Sequence, residues 1–163
     1  MKIKIWTDGG CRQYDSVGGC GIVVQVEEAF IYEDCFRLTH TTSNRAELWA
    51  AIEGIYTIIE RLELFYHKIE ILTDSQYMIN GVCSLRDKHF IFNGKNKDLF
   101  KELHYLVSKY PLYFIKVKGH SGIEGNVRAD KLVKLALCPS FTGVTKKDIK
   151  NIVTGKQIGR AHV

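Results

Sequence analysis

Four carboxylates stand in the most strongly patterned stretches of the chain: Asp8, Glu47, Asp74 and Asp130. Asp8 closes the alternating run KIKIWT and is followed by Gly9 and Gly10. Asp74 closes a second run, KIEILT. Glu47 and Asp130 fall in the opening turns of two amphipathic stretches. Carboxylates gathered from distant parts of a chain repel one another, so a cluster of them calls for a cation. Hard oxygen donors of this kind suit Mg²⁺ or Mn²⁺. Two such ions about 4 Å apart would activate a water and stabilise the leaving oxygen of an in-line displacement at phosphorus. Taken singly, the same residues have plainer roles. An aspartate at a strand end forms turns, and a glutamate in a first helical turn complements the helix dipole. The acids by themselves support an α/β domain with metal-binding carboxylates and no more.

The elements that must bring these acids together can be read from periodicity. Alternation predicts a first strand running into Asp8, a second over 18–26 and a third over 29–38, with Glu27-Glu28 as a hairpin turn. The polar run 39–44 is rich in helix-capping residues. After it, Leu48, Ile52, Ile55, Ile59 and Leu62 recur at helical spacing and predict a helix over 44–62. A fourth strand is expected over 68–73, helices over 76–82 and 98–109, a fifth strand over 112–117, and a last helix from Gly125 or Asn126 to Cys138. The stretch 84–97 is polar and irregular. The order βββαβαβα, with a further short helix, predicts an α/β fold: a five-stranded mixed sheet flanked by helices. If its first and fourth strands are neighbours, Asp8 and Asp74 project at one edge.

With 163 residues, 45% of them hydrophobic, the chain suits one domain with a real core. Lys and Arg number 23 against 18 acids, a net charge of +5. A chain that is mildly basic overall but acidic at its patterned positions suits a protein that holds a cation locally and a polyanion globally. The five cysteines are odd in number and none forms a Cys-x-x-Cys pair. They read as reduced packing residues of a cytoplasmic protein. No segment has the apolar length of a membrane span, and because the first strand begins at once no leader is expected.

Five words of sequence sharpen the reading: Thr7-Asp8-Gly9-Gly10-Cys11, Asn44-Arg45-Ala46-Glu47-Leu48-Trp49-Ala50-Ala51-Ile52, Thr73-Asp74-Ser75-Gln76-Tyr77, Val117-Lys118-Gly119-His120-Ser121-Gly122 and Asn126-Val127-Arg128-Ala129-Asp130. Together, in this order, they resemble ribonuclease H of type 1 in its bacterial or phage-like form, over about 1–138. The resemblance implies the ribonuclease H-like fold. It implies hydrolysis of the RNA strand of RNA–DNA hybrids, leaving 5′-phosphate and 3′-hydroxyl ends. It further implies that Asp8, Glu47, Asp74 and Asp130 hold two Mg²⁺ ions, with Mn²⁺ as a substitute. His120, in a loop near the scissile phosphate, is implied to assist proton transfer or product release. Gly9, Gly10 and Cys11 would lie near the scissile step, and Asn44 and Gln76 would read bases or 2′-hydroxyls in the minor groove. Thr42 and Asn96 match a pocket for a phosphate of the DNA strand. For these two, helix capping and a turn before a helix are plainer roles that can hold at the same time.

The chain departs from that pattern in places. The loop 12–17 lacks the family's Asn-Pro-Gly-Pro run, and Tyr14 falls where an asparagine contact is usual. His40 stands where a basic phosphate contact is often arginine. The basic handle is shortened to 84–97, with Leu85 in place of a stacking aromatic and with Phe90 and Phe92 nearby. Weaker, more salt-sensitive hybrid binding is expected as a result. Two other readings are a catalytically inactive hybrid-binding domain of the same fold and a related nuclease acting on DNA. The four intact acids argue against the first, and Thr42, Asn44, Gln76 and Asn96 against the second. The catalytic domain is expected over 1–138. A C-terminal extension over 139–156 is expected to hold a short basic helix within 144–152. The residues 157–163 are expected to be a non-native tail, because 158–163 back-translates onto the start of a common short-read sequencing adapter. A free-standing monomer is expected.

Overall fold

The computed structural model describes residues 1–83 and 94–150. Three long strands come first: β1 (Ile3–Arg12), β2 (Val17–Val26) and β3 (Ala29–Thr39). Helix α1 (Ser43–Tyr56) follows and runs directly into a π-helical turn, Thr57–Leu62. Then come β4 (Ile69–Thr73), α2 (Gln76–Val82), α3 (Lys97–Lys109), β5 (Leu112–Lys116), α4 (Glu124–Leu137) and β6 (Thr145–Lys147). The six strands form one mixed sheet in the order β5-β4-β1-β2-β3-β6. β1, β2 and β3 pair antiparallel, while β4 joins β1, and β5 joins β4, in parallel. The mixed sheet flanked by helices is as expected, with one strand more than the five expected.

Side chains alternate across the sheet, and each face is covered by helices. On one face Ile3, Ile5, Ile22 and Val24 meet Leu48, Ile52 and Ile55 of α1 and Leu99, Leu103 and Leu106 of α3. On the other, Trp6, Val23 and Leu72 meet Ala129 and Leu132 of α4. Helix α4 lies close because the sheet is bare beneath it. A Cβ at Gly19 would come within 2.6 Å of the Val133 carbonyl oxygen, and one at Gly21 would overlap that of Ala129.

Two expectations are corrected. The helix expected over 44–62 keeps its α form only to Tyr56. Its apolar stripe continues, but the last six residues close as a π-helical turn, ended by Glu63 in the left-handed conformation at φ 53°. In place of the basic helix expected within 144–152, the described part, 144–150, holds strand β6, pairing in parallel with Arg37, Leu38 and Thr39 of β3, while 151–152 lie outside the described residues. The strand covers what would otherwise be an open sheet edge. Lys146 is the inward residue of β6, between exposed Thr145 and Lys147. Its ammonium pairs with buried Glu53 at 3.0 Å and lies over the rings of Phe36 and Trp49. Leu85, Phe90, Phe92 and the tail 157–163 lie outside the described residues. Among the described residues no helix is long and apolar enough to cross a membrane, and all five cysteines are unpaired.

Candidate active site

The parallel pairing of β1 with β4 sets the rim of the site. Trp6 lies opposite Leu72. Asp8 and Asp74 each come two residues later, so both emerge at the same end and on the same face. Glu47 reaches them from α1, whose first turn lies directly against β1 at Gly9. A Cβ at Gly9 would overlap the backbone nitrogen of Glu47 and the carbonyl of Ala46. The glycine is therefore what lets Glu47 arrive at the rim. One carboxylate oxygen from each of Asp8, Glu47 and Asp74 lies within 4.8 Å of the other two.

This grouping is electrostatically unfavourable as it stands. Burial pushes the Asp8 carboxyl well above the carboxylate range, and the charges of Asp74 and Asp130 push it further; the Gly9 N–H, donating to Asp8 Oδ1 at 3.0 Å, pulls the other way. Burial likewise drives Glu47 upward, followed by Asp8 and Asp74. Glu47 Oε1 is buried and has no hydrogen-bond partner among the described residues. A buried acceptor of this kind costs free energy unless something binds it. Three convergent hard oxygens, one of them unsatisfied, fit a small divalent cation, which would also remove the repulsion that holds the protons on.

The fourth expected acid is near but turned aside. Asp130, on α4, acts on Asp8 through its charge, yet it does not join the three convergent carboxylates and instead pairs with Lys134 one turn later at 2.9 Å. His120 stands exposed in the loop between β5 and α4, with φ at 57°. The preceding Gly119 lies against Asp74, where a Cβ would come within 3.1 Å of Oδ2. The loop is held in part by the Ser121 hydroxyl donating to the Lys118 carbonyl at 2.7 Å.

The remaining expected contacts surround this rim. Gly10 continues β1 beneath Val133, and Cys11 follows it with its thiol near the Thr41 carbonyl oxygen at 3.6 Å. Partial burial and Asp15 push that thiol upward. Asn44, in the first turn of α1, and Gln76, opening α2, are both exposed; the Gln76 amide donates to Asn80 at 2.8 Å. Thr42 caps α1, accepting from the Arg45 N–H at 3.2 Å. Asn96 opens α3 in the left-handed conformation; its amide donates to the Tyr77 hydroxyl at 2.9 Å and its oxygen accepts from Arg45 at 3.3 Å. Thr42 and Asn96 are thus tied together through one arginine. His40 and Tyr14 are exposed.

That arginine centres a network the sequence reading did not assign. Arg45 is only 2% exposed, and its guanidinium makes paired hydrogen bonds to Asp98, at 2.9 and 2.7 Å, and to Asp148, at 2.7 and 2.8 Å. Asp148 also accepts from Trp49 Nε1 at 3.0 Å and from the Thr41 hydroxyl at 2.8 Å. The two carboxylates hold Arg45 charged against the cost of burial, and Arg45 holds Asp98 below the ordinary carboxylate range. The segment after Pro139 thus joins the floor behind the site. Its signal was the charge run TKKD, in which an inward Lys and an inward Asp sit two residues apart.

Comparison with known proteins agrees with this geometry. The family model described as RNase H matches residues 1–137. The ribonuclease H of Clostridium botulinum is 36% identical over 149 residues, covering 83% of this chain and 95% of that protein. Ribonuclease HI of Rickettsia conorii is 34% identical over 143 residues, covering 80% and 88%. Among solved structures, LC11-RNase H1 in complex with RNA/DNA hybrid superposes with a TM-score of 0.65 at 25% identity, covering 82% of this chain and 94% of that one. The chain belongs to the ribonuclease H family.

Proposed function

We propose that the chain hydrolyses the RNA strand of RNA–DNA hybrids with two Mg²⁺ ions, Mn²⁺ substituting, and leaves 5′-phosphate and 3′-hydroxyl ends. The observation that carries this is the meeting of Asp8, Glu47 and Asp74 at one rim, with Glu47 Oε1 buried and unsatisfied. Support for the substrate comes from family membership and from the similar LC11-RNase H1, solved in complex with RNA/DNA hybrid.

Asp8, Glu47, Asp74 and Asp130 would hold the cations. Bound there, the cations would supply a nucleophilic water at neutral pH and neutralise charge developing on the phosphate and the leaving 3′-oxygen. His120, free in its exposed loop beside Asp74, takes or returns a proton and helps the product leave. Gly9, Gly10 and Cys11 let the RNA backbone approach β1 closely. Asn44 and Gln76 present amides to the minor groove, where 2′-hydroxyls distinguish RNA from DNA. Thr42 and Asn96, braced by Arg45, receive a phosphate of the DNA strand. The catalytic domain is assigned to 1–138, with 139–156 as an extension. Five unpaired cysteines support a reduced, cytoplasmic setting, and the protein is proposed to act as a monomer.

A labelled RNA–DNA hybrid, incubated with the protein and Mg²⁺ beside double-stranded DNA and double-stranded RNA, tests this. Only the hybrid should be cut, the RNA products should carry removable 5′-phosphates, and Asp8→Asn should abolish cleavage with an unchanged circular dichroism spectrum. Equal cutting by Asp8→Asn, or cutting of double-stranded DNA, refutes it.

A further inference from the structure

We infer that Lys134 is a positioning residue that holds Asp130 away from the other three carboxylates and so weakens the cation site that depends on Asp130. The inference rests on the reading of these acids as metal ligands given above. Three acids already converge within 4.8 Å, whereas Asp130, close enough to act on Asp8 by charge, is paired with Lys134 at 2.9 Å.

Helix α4 itself cannot move to bring Asp130 in. It is seated on Gly19 and Gly21 without room for a Cβ, and Gly125 is pressed against the Trp6 ring. Arg128 fixes its rotation, reaching Glu33 of β3 at 2.6 Å and lying over the Phe30 ring at 4.2 Å. Asp130 can therefore join the site only by turning its side chain, and turning it means leaving Lys134. The Lys134 side chain is 72% exposed and that of Asp130 28%. Among the described residues the lysine has no other ion-pair partner, so it can follow or release the acid. Two effects add: the i,i+4 pair must be broken, and an ammonium is left beside an incoming cation. Together they weaken the site by about threefold at moderate ionic strength. The asymmetry follows directly. Asp8, Glu47 and Asp74 form a preassembled site, and the one completed by Asp130 fills at higher cation concentration.

The test is a Mn²⁺ titration of the nucleic-acid-free protein, followed by the paramagnetic resonance signal of the free ion. Wild type, Lys134→Met, Lys134→Arg and both lysine variants on an Asp130→Asn background are compared. Methionine keeps the helical propensity and the apolar stem but removes the charge. Lys134→Met should bind Mn²⁺ about threefold more tightly than wild type, and Lys134→Arg should match wild type. On the Asp130→Asn background the gain should vanish. Equal isotherms for wild type and Lys134→Met overturn the inference. So does a gain that survives in Asp130→Asn, because Lys134 would then act through its general field and not through Asp130. Hybrid cleavage by the wild type is scored separately: its failure would refute the proposed activity and leave the metal isotherms standing on their own.

Discussion

Asp148→Ala should destabilise the protein far more than its position near the end of the chain suggests. The substitution removes four acceptor interactions at once, two from Arg45, one from Trp49 and one from Thr41. It leaves a guanidinium that is 2% exposed with Asp98 as its only remaining carboxylate partner among the described residues. Removing one partner of a buried ion pair costs about 3–5 kcal/mol, because the surviving charge is stranded away from water. With a denaturant slope of about 2 kcal/mol/M in urea, a loss of about 4 kcal/mol lowers the unfolding midpoint by about 2 M. The same loss lowers Tm by about 10 °C for a chain of this size. Asp148→Asn keeps one acceptor oxygen, for either the Trp49 N–H or the Thr41 hydroxyl but not both, and loses the charge; it should lose less than Asp148→Ala. The control is Glu124→Gln, which breaks an exposed pair with Arg128 and should cost under about 0.5 kcal/mol. Urea unfolding followed by tryptophan fluorescence measures all three. A midpoint for Asp148→Ala within about 0.5 M of wild type would refute the role given to the network.

Three further outcomes are expected. Asp8 and Glu47 hold their protons more tightly in the folded chain than in the unfolded one, so the metal-free protein should lose stability as pH rises above about 4, the ordinary carboxylate range. Mg²⁺ should then raise Tm more at pH 8 than at pH 5, and an equal rise at both would contradict the carboxylate site. Gly9→Ala drives a methyl into the first turn of α1; it should cost about 1–3 kcal/mol by thermal melting and depress cleavage through a displaced Glu47. Asn96→Ala should raise KM for the hybrid about tenfold with kcat little changed, if its amide helps hold a phosphate that is not cleaved. A fall in kcat alone would place it elsewhere in the reaction.

The rim of the site was legible because its elements are set by short-range signals. The alternation of Ile3 and Ile5 and the run KIEILT each lead into an acid, the polar run before α1 is followed by Glu47 in the first turns of that helix, and those positions became the rim. Helices α2 and α3 followed from capping and periodicity in the same way. What was not legible depends on partners distant in sequence. The π-helical turn carries on the same apolar stripe as α1, so spacing cannot distinguish it. β6 has one inward residue, and that residue is a lysine whose burial makes sense only once Glu53, Phe36 and Trp49 are around it. Asp148 reads as one more solvated charge until Arg45 is found facing it across 103 residues. The rotation of Asp130 toward Lys134 is a side-chain choice that an i,i+4 spacing permits without requiring.

Arg45 and Glu47, two residues apart in one helical turn, point the opposite charges of that turn in different directions. Glu47 goes forward into a cluster of acids that repel it, and Arg45 goes back into two acids that hold it. The rear attachment fixes the turn that the front repulsion would otherwise push away from β1. On this argument the C-terminal strand contributes to the site without touching it. Asp148 anchors Arg45, Arg45 braces both the Thr42 cap and Asn96, and the same turn presents Glu47 at the rim. Loss of Asp148 should therefore weaken cation binding as well as stability, and should do so in protein that is still folded at low temperature.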